Sequence, residues 1–60
     1  MRIIYRTNEI MTTASMTAWY FGKRFVTSMT RKAKTAYEKD GKCNMKFWQN
    51  GTGYLTIEIS

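Results

Sequence analysis

The stretch Lys42–Ser60, KCNMKFWQNGTGYLTIEIS, places two alternating runs around an NGTG turn signal. Leu55, Ile57 and Ile59 alternate with polar residues, and so do Cys43, Met45 and Phe47. Such period-2 patterning on both sides of Asn-Gly reads as a β-hairpin. The turn length fixes its register. A two-residue Asn50-Gly51 turn would pair Phe47 with Tyr54 and mix the two faces. An odd loop, Asn50–Thr52 or Gln49–Gly53, pairs Phe47 with Leu55 and Met45 with Ile57, keeping the apolar set together. A one-residue slip inverts every side chain, so the odd loop is expected. It also sets Trp48 opposite Tyr54 and Lys46 opposite Thr56 on the other face.

Upstream, RIIYR (Arg2–Arg6) reads as a strand, and TNE interrupts it. From Thr13 to Lys39 the spacing is helical, with Thr12 or Thr13 as N-cap and Gly41 as C-cap. Ala14, Ala18, Phe21, Phe25, Met29, Ala33 and Ala36 share one arc of the wheel, with Trp19, Val26 and Tyr37 at its edge. Phe25 is expected against Phe47 and Ile57. A continuous helix of this length runs roughly 40 Å, whereas a six-residue strand covers about 20 Å. The helix must overhang the sheet or break, and Gly22 is the candidate break. Close approach of Gly22 to the sheet is the other reading. The expected fold is therefore α+β, in the order β-α-β-β. One amphipathic helix covers one face of a three-stranded antiparallel sheet, with strands at 2–6, 43–49 and 54–59 and the helix at 13–39. The third strand is expected at the centre, because a right-handed crossover leaves that gap for the hairpin.

Sixty residues allow one small domain with a limited core. The chain has no His, one Cys and four acidic residues. Absence of His removes the commonest general base and metal ligand. Cys43 alone cannot build a zinc site, and its alternation places it on the core face as a small hydrophobe. NGTG lacks the following helix that a phosphate-binding loop needs. No metal, cofactor or catalytic residue is expected; a ribonuclease built from Arg, Lys and Tyr is the residual enzyme reading. The lone Cys, the short charged N-terminus and the lack of a long apolar run point to the cytoplasm and away from a membrane.

Charge is the informative feature. The net charge is +6, and no acidic residue occurs between Glu9 and Glu38. Exposed helices usually mix signs, since like charges at neighbouring turns repel. Here Lys23, Arg24, Thr27, Arg31 and Lys34 fall on one helix face, with Tyr20 among them, opposite the apolar arc. Such a face suits phosphates of DNA or RNA, or an acidic protein surface. A second candidate surface is the open sheet face of Lys46, Trp48 and Tyr54. It has the physics of a base-stacking platform, although a homodimer contact is the commoner use of an exposed Trp–Tyr pair. The sequence thus predicts a non-enzymatic, nucleic-acid-binding regulator. The competing class is an interaction module or inhibitor, of the plasmid- or virus-encoded kind, that blocks a larger acidic or nucleic-acid-binding protein.

Overall fold

In a computed structural model describing residues 1–60, the C-terminal hairpin pairs in the register that the alternation requires. Strand β3 (Cys43–Gln49) and strand β4 (Gly53–Ile59) are joined by the three-residue loop Asn50–Thr52. Met45 faces Ile57, Phe47 faces Leu55, Lys46 faces Thr56 and Trp48 faces Tyr54. Strand β1 (Ile3–Thr7) lies antiparallel on the other side of β4, which is therefore central. Leu55 and Ile57 are fully buried, with Ile3 and Tyr5 of β1 and Met45 and Phe47 of β3 packed around the same core.

The sheet has four strands, not three. Strand β2 (Ile10–Thr12) folds back on β1 across a two-residue Asn8-Glu9 turn, giving the order β2-β1-β4-β3. Both turn residues have positive φ, 49° and 72°, as a type I′ hairpin turn requires. Asn8 tolerates that conformation well and Glu9 poorly. Tertiary bonds hold the turn in place. The Asn8 side chain accepts from the Tyr54 N–H and donates to the Thr52 carbonyl, and its own N–H donates to the Tyr54 carbonyl. A Cβ at Gly53 would collide with the Asn8 amide, so glycine there allows the two turns to meet.

The expected single helix is two: α1 (Ala14–Phe21) and α2 (Lys23–Asp40). The element order is thus β-β-α-α-β-β. Thr13 caps α1, its hydroxyl accepting from the Met16 N–H at 3.1 Å. Gly41 closes α2, donating to the Tyr37 carbonyl at 2.7 Å. Between them, Gly22 adopts φ 92°, ψ 138°, a conformation that L side chains rarely adopt. Its N–H still donates to Ala18 and its carbonyl still accepts from Val26. The Phe21 carbonyl, at the end of α1, accepts from the Gln49 side-chain amide at 2.8 Å. The break lets α1 pack on β1 while α2 covers β3 and β4, within a longest dimension of 31 Å that a continuous rod would exceed.

The break also changes which residues face inward. Thr17, off the expected arc, is fully buried, and Val26 is buried rather than marginal. Phe25 is half-buried and stacks on Phe21, with centroids 5.7 Å apart. Thr17 is satisfied by a directional hydroxyl chain. Its hydroxyl donates to the Thr13 carbonyl, so with one proton each, Thr12 donates to Thr17 and Thr7 to Thr12. The chain ties α1 to the β1–β2 hairpin. Beyond its chain neighbours, a Cβ built on Gly22 meets no heavy atom within 4 Å, so the cost of a side chain there is purely conformational. Gly22→Ala is expected to lower stability by about 1–3 kcal/mol, read as a lower urea midpoint at unchanged m-value.

Candidate functional site

Helix α2 projects Lys23, Thr27, Arg31 and Lys34 along one line, with Arg24 and Ser28 beside it, and all six are exposed. Two shallow clefts flank this line. One, against β1, is lined by Tyr5, Val26, Thr27, Thr30, Arg31 and Lys34. The other is lined by Lys23, Arg24, Thr27, Ser28 and Arg31. Thr27 and Arg31 belong to both, and no carboxylate lines either. The Tyr5 hydroxyl lies 2.9 Å from Thr30 Oγ1 and anchors the first cleft to the sheet.

The electrostatics of this face are unbalanced. The sole ion pair in the molecule joins Arg6 and Glu58 on the open sheet face, so no cation of α2 is neutralised internally. The first turn of α2 contains Lys23 and Arg24 and no acidic residue, and Gly22 supplies no side-chain cap. Cations at a helix N-terminus oppose the macrodipole, at a cost of about 0.3–1 kcal/mol each. Open first-turn N–H groups, the dipole and two side chains all present positive charge at the same end. Chemically this arrangement is complementary to an anion.

The residues marked in the sequence do not form one site. Lys23, Arg24, Thr27, Arg31 and Lys34 are together. Tyr20 is separated from them by the Gly22 break: it lines a groove with Thr7, Asn8, Ile10, Thr12 and Met16, into which no cation projects. Lys46, Trp48 and Tyr54 cluster on the sheet face away from the helices. There Trp48 meets Tyr54 edge-on at 4.9 Å, and Lys46 Nζ lies 5.3 Å from the Tyr54 ring centre. Cys43 is buried on the core face.

A third surface has no counterpart in the sequence reading. Trp19 is 82% exposed and Ile10 71%, with Met16 and Tyr20 about half exposed beside them. The three consecutive aromatics Trp19-Tyr20-Phe21 were the available signal, since a helix turns successive residues too far for all three to face one core. No group of three or more His, Cys, Asp or Glu side chains could hold a metal ion, and no helix is long and apolar enough to cross a membrane. Comparison with protein-family models, with curated proteins and with solved structures returns no match.

Proposed function

We propose that this chain is a small, non-enzymatic nucleic-acid-binding regulator that docks the outer face of α2 on phosphates. The observation that carries the reading is the one-sign face itself: Lys23, Arg24, Arg31 and Lys34 stand together without an internal counter-ion. A polyanion relieves their mutual repulsion and releases its own condensed counter-ions on binding. Thr27 and Ser28, set between the cations, add neutral donors to phosphate oxygens. The lack of His and the scarcity of acidic residues leave little for acid–base chemistry, and the lone buried thiol suits a reducing cytoplasm.

Salt dependence tests this directly. Four phosphate contacts give a log–log slope of about −3.6 on duplex DNA or about −2.8 on single strands. Between 50 and 200 mM salt, affinity should then fall roughly 150-fold or roughly 50-fold respectively. No binding to duplex, single-stranded DNA or RNA at low salt overturns the reading. The second reading, a module that binds and blocks a larger protein, then takes its place. It is favoured by the Trp48–Tyr54 pair on the uncovered sheet face, since exposed aromatics of this kind are enriched at protein interfaces.

A further inference from the structure

We infer that the nucleic acid is single-stranded and that Trp19 stacks one of its unpaired bases beside the phosphates held by Lys23 and Arg24. This rests on the phosphate-binding reading of α2 and adds to it the state of the ligand.

Trp19 contributes little to the fold: at 82% exposed it is the least covered large apolar side chain in the molecule. It is nonetheless braced, with Tyr20 edge-on to it at 5.4 Å and 88°. A T-shaped pair uses the face of one ring and the edge of the other, so the pair still offers π-surface to a third ring. Lys23 and Arg24 follow Trp19 by four and five residues across the Gly22 break. At about 3.8 Å per residue, Lys23 lies at most about 15 Å away along the chain. That is the reach of a few nucleotides at about 3.4 Å each.

Charge complementarity selects the occupant. An exposed indole at the end of α1, four and five residues ahead of two unneutralised cations at the uncapped start of α2, matches a ligand with flat apolar rings on an anionic backbone. Bases inside a duplex are already stacked and cannot lie on Trp19, so the match is to an unpaired base. Stacking of this kind tolerates any sequence because every base has a π-face. Trp48 is on the opposite side of the sheet, away from the α2 cations, and is not needed.

The test uses the Trp48→Phe protein, in which Trp19 is the only indole. Oligo(dU) and oligo(U) of about 12 nucleotides, within the footprint of small single-strand binders, are compared with an abasic strand of equal length and with duplex DNA. Quenching of Trp19 emission by either base-bearing strand, with affinity above that for the abasic strand, is the expected result; whichever binds more tightly identifies the sugar. Trp19→Ala should weaken oligonucleotide binding roughly 5- to 150-fold and leave abasic binding unchanged, while Trp19→Phe should retain most of the affinity. Circular dichroism of each variant confirms that the helices persist. Equal binding of abasic and base-bearing strands, without quenching, overturns the stacking inference and leaves the phosphate reading standing. No binding to any of the four overturns both.

Discussion

Phe21→Ala is expected to leave a chain with no cooperative unfolding transition at room temperature, whereas Trp19→Ala, two residues away, should melt like the parent. Phe21 is 4% exposed in the core and stacks on Phe25. Truncating such a buried aromatic costs about 3–5 kcal/mol through lost transfer energy and the cavity left behind. A 60-residue domain has roughly 3–9 kcal/mol in total at about 0.05–0.15 kcal/mol per residue. For a domain in the lower half of that range the substitution removes most or all of the stability. It also acts at the junction of the two helices, where the Gln49 amide holds the Phe21 carbonyl. Loosening that residue frees α1 and α2 together. Phe21→Leu, which keeps much of the volume, should lie between the two. Thermal and urea unfolding of the three variants checks the order. Equal melting of the Phe21→Ala and Trp19→Ala proteins would mean that α1 presents a different face to the sheet.

The two halves of the molecule differ in how far their sequence discloses them. In the β3–β4 hairpin, one face is buried and the other is not, so alternation alone separates the correct register from its neighbour. Its pairs Phe47–Leu55 and Met45–Ile57 are readable without coordinates. The β1–β2 hairpin has no such signature. Strand β2 is three residues long, and Ile10 and Met11 are both exposed, so no period develops. Its turn puts Glu9 where glycine is usual and is held by Asn8 bonds to Thr52 and Tyr54, more than forty residues away. Nothing local can announce that. The helix break is intermediate, because Gly22 is visible but the Gln49 amide that makes the break favourable is remote.

The same distinction governs the candidate sites. Lys23, Arg24, Thr27, Arg31 and Lys34 all lie beyond Gly22, within one continuous helix, so wheel geometry places them correctly on one face. Tyr20 lies before the break, and a single axis drawn through both helices puts it among cations that it does not join. Trp19 escaped for a related reason. On a continuous wheel it borders the apolar arc; in the folded chain α1 turns it outward, with Tyr20 beside it.

Charge reversal on α2 should separate binding from stability. The Arg24→Glu, Arg31→Glu double variant is expected to lose nucleic-acid binding entirely at physiological salt while folding at least as well as the parent. Arg31 lines both clefts and Arg24 one of them, so the cleft against β1 exchanges one cation for an anion and the other cleft exchanges two. The four positive charges of the face become two positive and two negative, which cancels the attraction. Replacing either arginine by alanine instead should flatten the salt slope by about 0.7 on single strands or about 0.9 on duplex, weakening all sequences alike. Stability moves the other way. Arg24 lies in the first turn of α2, where no acidic residue answers the helix dipole; a carboxylate there is favourable by about 0.3–1 kcal/mol. Position 31 faces solvent, and a glutamate there gains Lys34 as an i+3 neighbour, worth about 0.2–0.5 kcal/mol. Retained binding by the double variant, with its fold intact, would remove α2 as the docking face. Lost binding in a more stable protein would show that these cations oppose folding and are tolerated for what they hold.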